Sequence, residues 1–155
     1  MGRMYSASFA DVEVDALQDL FSLLVAVDEP VTIHSCFISQ SSDVGDAAEE
    51  MLAVHIVRGN GTVGSGGSAP TARALDPKVG AASASVRAND TTEASDGTEE
   101  IMHAEAFNIR SGWVYIPTPE TRIKADNASD LICVRLLDAP ADAVTMSGTL
   151  YWEEG

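Results

Sequence analysis

The sequence predicts an all-β chain, a sandwich or barrel of roughly nine strands with at most one short helix. Three observations predict it. In VTMSGTLYW (144–152), Val144, Met146, Leu150 and Trp152 fall on one face, while Thr145, Ser147, Thr149 and Tyr151 fall on the other. That period of two marks a half-buried strand. DLICVRLLD (130–138) sets Ile132, Val134 and Leu136 against Leu131, Cys133, Arg135 and Leu137. It is largely apolar on both sides, as a central strand should be. Finally, strands do not alternate with long amphipathic helices, which disfavours a doubly wound α/β sheet.

The other strands follow in order. MYSASFADVEV (4–14), DLFSLLVAV (19–27), VTIHSCFIS (31–39) and MLAVHIVR (51–58) are rich in β-branched and aromatic residues. ASASVRA (82–88), EEIMHAEAFNI (99–109) and GWVYIP (112–117) complete the set with the two strands above. The one helical expectation is DVGDAAEEM (43–51), where Asp46 can cap a short turn ahead of two alanines. At 155 residues the chain suits one domain, residues 1–155. Between Gly59 and Thr98 it turns rich in Gly, Ser, Ala, Thr, Asp and Pro. That stretch predicts long polar loops around one or two weak strands.

Hydrophobic residues make up 45% of the chain, as in a folded globular protein. There are 24 acidic residues against 9 basic, a net charge of −15, which repels phosphate backbones and argues against direct nucleic-acid binding. The longest near-continuous apolar run, LFSLLVAV (20–27), falls short of the roughly 20 residues of a bilayer-spanning helix. MGRMYSASF lacks the basic and apolar regions of a secretory signal, so the sequons at Asn60, Asn89 and Asn127 are not expected to be used. MGRMYS fits the loose myristoylation pattern, with nothing else to support it. Cys36 and Cys133 lie inside apolar strands and are expected to be buried free thiols rather than a disulfide, in keeping with synthesis in a reducing cytoplasm.

GNGTVG (59–64) spells a dinucleotide-binding fingerprint, G-x-G-x-x-G. The chemistry needs a helix just behind the glycines, whose N-terminus carries the pyrophosphate. SGGSAPTARALDP follows instead, with two more glycines and a proline, and no Lys-Ser or Lys-Thr of a phosphate loop. The stretch is read as a surface connection.

His34, His55 and His103 all lie in predicted strands, and His103 shares a face with Glu105. Those four residues are the candidate ligands of a cupin-like metal enzyme, although the paired H-x-H of such a site is missing. Strand histidines bonded to backbone or water are the simpler expectation. Asp43, Asp46, Glu49 and Glu50 lack the spacing and glycine of a calcium loop. Glu99-Glu100 and Glu153-Glu154 are adjacent, point to opposite faces, and cannot form an acid/base pair. No nucleophile elbow surrounds any serine. Arg110 and Arg135 fit either ion pairing or an interface. Trp113, Tyr115 and Trp152 are read as core, with GWVYIP able to leave one aromatic at a strand edge as a subunit anchor. The expectation is therefore a non-enzyme with no catalytic, cofactor or metal residue.

SSDVGDAAEEM (41–51), GSGGSAPTARALDP (64–77), AFNIRSGW (106–113) and LLDAPADAVTMSGTLYWEE (136–154) together resemble small proteins encoded among the structural genes of tailed bacteriophages. The resemblance runs over nearly the whole chain and carries no site motif. It implies a virion component assembled in the host cytoplasm: a single β-sandwich of jelly-roll type, about eight to nine strands, serving as a decoration or cement protein and acting as a homo-oligomer, first of all a trimer. Its partners would be the major capsid protein and its own copies. The Gly59–Thr98 region and the N-terminal MYSASFADV are the expected contact elements. The alternatives are a glycan-binding jelly roll of a tail or fibre, which needs an exposed aromatic shelf, and the cupin-like enzyme.

Overall fold

The computed structural model describes residues 2–42, 50–127 and 130–155. Eleven strands occur among them: β1 (Arg3–Val14), β2 (Gln18–Leu24), β3 (Val31–Gln40), β4 (Met51–Asn60), β5 (Arg73–Ala74), β6 (Ser85–Asp90), β7 (Glu100–Asn108), β8 (Trp113–Tyr115), β9 (Lys124–Ala125), β10 (Leu131–Leu136) and β11 (Val144–Glu154). All nine expected strands are present, with GWVYIP shortened to Trp113–Tyr115. The two additions, β5 and β9, are two residues each and too short to carry a periodic signal. Most of the expected helix (residues 43–49) lies outside the described residues, and Met51 opens β4. The helical turn that is described, Pro119–Thr121, is 3-10.

The strands form two antiparallel sheets, β5-β1-β11-β3-β8 with β9 beside β3, and β6-β2-β10-β4-β7. Set β5, β6 and β9 aside and the remaining eight pair first with last. β1 pairs β11, β2 pairs β10, β3 pairs β8 and β4 pairs β7. One long antiparallel ribbon has thus been rolled into two layers, which is the jelly-roll topology.

β11 alternates buried and half-buried without a break, and Val144, Met146, Leu150 and Trp152 supply its core face. Trp152 stacks on Tyr5 at 6.0 Å, and Phe9 meets Phe21 at 5.1 Å across the layers. Truncating such a buried aromatic to alanine removes about 3–5 kcal/mol. The same face ends on Glu154, fully buried, whose carboxylate accepts from the Ser83 and Ala84 backbone N–H groups at 3.0 and 2.9 Å.

β10 is buried along its whole length because each face has a cover. Ile132, Val134 and Leu136 enter the core, while Leu131 and Cys133 pack with Val57 and Ala94 on the opposite side. Ala94 belongs to the glycine-rich region. Residues 59–68 run antiparallel to 88–98, through reciprocal backbone bonds between Thr62 and Ser95, Ser65 and Thr92, and Ser68 and Ala88 at 2.8–3.0 Å. The resulting strap lies over the outer face of the second sheet. Cβ atoms at Gly64 or Gly67 would overlap the Thr92 or Ala88 carbonyl oxygen. GNGTVGSGG is glycine-rich because two backbones press together there, with no cofactor required.

Candidate interaction edge

The two long edges of the sandwich differ. On the β1/β2 side, the excursion between β4 and β7 adds β5 to β1 and β6 to β2. The connecting segment is pinned there: the Tyr5 hydroxyl donates to the Gly80 carbonyl at 3.0 Å, and Glu154 holds residues 83 and 84. Val79 and Ala82 pack against the core. That edge is closed. β1 is paired on both sides, and the strap is folded onto the sheet. Both expected contact elements are thus largely engaged in internal structure.

The opposite edge, formed by β7 and β8, has no such cover among the described residues. β7 is exposed over most of its length, and Ile101, Met102, Val114 and Ile116 are all open to solvent, Ile116 to 66%. The sequence shows why: EIMHAEAF does not alternate, so apolar groups fall on both faces of a strand that stands exposed along most of its length. Beside these side chains, Met102, His103, Glu105, Val114, Tyr115 and Ile116 surround a hollow of about 460 Å³.

Its floor is a polar relay. Glu105 accepts from the Trp113 indole N–H at 2.8 Å and pairs with His103 Nε2 at 2.9 Å, and the His103 ring meets Tyr115 at 4.8 Å. Hydrogen bonding from His103, then from Trp113, holds the Glu105 carboxyl below its ordinary range. Burial raises the Tyr115 phenol. A β-bulge at Met102 and the side chains of His103 and Glu105 oppose sheet extension through β7. The edge is therefore suited to side-chain contact more than to strand addition. Trp113 and Tyr115 are core residues, as expected; the exposed groups of GWVYIP are Val114 and Ile116, not an aromatic.

The remaining candidate residues are dispersed. His34 Nε2 pairs with Glu153 at 2.7 Å on the outer face of the first sheet. His55 lies opposite Ala104 and Arg135 in β4. The structure joins His103 to Glu105 and leaves His34 and His55 apart from them. Among the described residues no three His, Cys, Asp or Glu side chains are grouped to hold a metal. Asp43, Asp46 and Glu49 lie outside the described residues, and Glu50 accepts from the Ala141 N–H at 2.8 Å. Glu99 bonds Arg135 and Glu100 bonds Arg58, as strand neighbours on opposite faces do.

Arg110 is exposed in the turn after β7, whereas Arg135 is buried and binds Asp19, Glu99 and the Ala94 carbonyl. Cys36 and Cys133 are buried free thiols in different sheets, and burial drives both far above their ordinary range. Asn60 and Asn89 are buried. No family model, curated protein or solved structure matches the chain.

Proposed function

We propose that this chain is a bacteriophage virion structural protein, a capsid decoration or cement protein that binds between capsomers as a homo-oligomer, with a trimer as its first expected state. The observation that carries the reading is the asymmetry of the sandwich. One long edge is sealed by an excursion of the chain itself, and the other is left apolar and open. In a protein of net charge −15, copies repel one another unless they meet where charge is sparse. Ile101, Met102, Val114 and Ile116 make such a place, with the adjacent carboxylates Glu100 and Glu105 already bonded, one to Arg58 and the other to His103 and Trp113.

Jelly rolls serve as viral capsid domains, lectins and cupins alike, so the fold alone selects none of these. The resemblance to phage structural proteins supports the first. The dispersal of His34, His55 and His103 gives the cupin-like alternative no convergent ligand set among the described residues. The proposed module is non-catalytic. Its partners are the major capsid protein and its own copies, its place the virion. Each subunit buries modest area, and closed symmetry multiplies those contacts into a firm clamp. Added salt screens the repulsion between subunits and favours assembly, unless basic capsid patches dominate.

The test is to mix purified protein with expanded capsids that lack it, and sediment them. Saturable co-sedimentation is the expected result. Protein that stays in the supernatant at every salt concentration contradicts the reading.

A further inference from the structure

The outer face of the first sheet carries chemistry that neither the core nor the open edge uses. Phe37 and Tyr151 stand there as a T-shaped pair at 6.1 Å, with Phe37 37% exposed. They rise from a floor of small hydroxyls. Strand register aligns Phe37 with Thr149 and Ser8 in one row, and Tyr151 with Ser35 in the next. The Ser8 and Thr149 hydroxyls bond each other at 2.8 Å. Phe37 separates two hollows, one of about 440 Å³ toward Arg122 and one of about 240 Å³ toward Ser8 and Thr149.

Charge sets this face apart from the rest of the molecule. Among the described residues no carboxylate lines either hollow, although acidic residues outnumber basic ones 24 to 9. The larger hollow is instead lined by Arg122 and His34. Arg122 Nε is buried and finds no acceptor among the described residues. The nearby Glu153 carboxylate feels the Arg122 charge but is hydrogen-bonded by His34 and by the Gly2 N–H instead. A buried donor without a partner is rare in folded proteins. The rest of the guanidinium is not shut off in this way, and Arg122 lines the larger hollow, where an acceptor supplied from outside can reach it.

We propose that this face binds an extended glycan, with the carboxylate of an acidic sugar unit received by Arg122. Saccharide rings present apolar C–H faces that stack on aromatic rings, and their hydroxyls exchange hydrogen bonds with serine, threonine and tyrosine. A carboxylate supplies the charge-assisted acceptor that Arg122 lacks. The site lies on the sheet face, and its binding does not depend on capsid attachment, so either property can fail alone.

Affinity electrophoresis through gels containing polygalacturonate, with a neutral galactan gel beside it, tests the proposal. The protein's own charge opposes adsorption to an anionic polymer, so retardation there reports a local site. Retardation in polygalacturonate well above that in galactan is the expected result. Phe37→Thr keeps β-propensity and should weaken binding about ten-fold, the scale of one lost stacking contact. Arg122→Gln should weaken binding about ten-fold or more and abolish the preference for the acidic polymer. Melting curves matching the parent show that the face, not the fold, was altered. Equal retardation in the two gels, no retardation in either, or variants that bind like the parent would each overturn the proposal.

Discussion

Arg135 Nε donates to Asp19 Oδ1 at 2.7 Å beneath the strap, with both side chains almost wholly buried. The pair joins β10 to β2 and reaches past them: Asp19 Oδ2 accepts from the Ala94 N–H at 2.8 Å, and Arg135 donates to Glu99 at 2.6 Å. The outer face of the second sheet is therefore held by a charge network and by the small Val57, Ala94, Leu131 and Cys133 cluster together.

Removing one member of such a pair leaves the other charge buried and alone. Arg135→Met should destabilise the fold by about 3–5 kcal/mol, and the double variant Asp19→Leu/Arg135→Met by less than the sum of the two single changes. Urea denaturation of the three variants measures this. Additive losses would mean that the two residues are not coupled.

The strap makes a second prediction. Gly64→Ala and Gly67→Ala each push a methyl into a backbone carbonyl that cannot withdraw, whereas a Cβ at Gly80 meets nothing within 4 Å. The first two should cost about 1–3 kcal/mol, and Gly80→Ala should be neutral or slightly stabilising. Thermal melts separate these outcomes, and equal melting temperatures for all three would refute the close approach of the two backbones.

How much of this was legible beforehand divides along physical lines. Strict alternation in 144–152 disclosed the β11 core face, because one-sided burial writes itself into every second residue. The two-faced apolarity of 130–138 disclosed a central strand but not its second cover, since the strap is made of polar residues and glycine. Arg135 and Glu154 gave no sign of burial, because what buries them is contact with residues 19, 83, 84 and 94, far off in sequence. Ile101, Met102, Val114 and Ile116 resembled ordinary strand residues; their exposure depends on which strand lies at the edge, and topology decides that. The histidines fell in strands as read. Sequence offered no measure of the distances between them.

Acid titration makes a third prediction. Hydrogen bonds from His103 and Trp113 lower Glu105, and those from His34 and the Gly2 N–H lower Glu153, while burial raises Glu93. For Glu105 and Glu153 the folded pKa lies below the unfolded one. Their contribution to stability is present above the ordinary glutamate range and is lost as pH falls through the depressed folded values. Glu93 has the opposite sign: its contribution is present below the unfolded value and lost as pH rises through the raised one. Carboxyl NMR titration should find Glu105 and Glu153 below, and Glu93 above, the ordinary midpoint. His103→Gln should move Glu105 upward. A Glu105 midpoint unaffected by that substitution would contradict the relay.

The buried thiols make a fourth. Cys36 and Cys133 are shielded from solvent, and burial holds both in the protonated form, the unreactive one. A chromogenic disulfide reagent should find neither thiol in native protein and both after unfolding in denaturant. Rapid reaction in the native state would show that the sandwich opens readily around β3 or β10.

The open β7–β8 edge is tested most directly by light scattering of the parent beside Met102→Lys/Val114→Lys, across a range of salt concentrations. Both substituted side chains are exposed, so the variant should keep the parent's circular dichroism and melting curve. The account predicts an oligomer of one defined mass for the parent, a trimer first of all, and a monomer for the variant. A parent that is monomeric at every salt concentration, or a variant that assembles as the parent does, would contradict it.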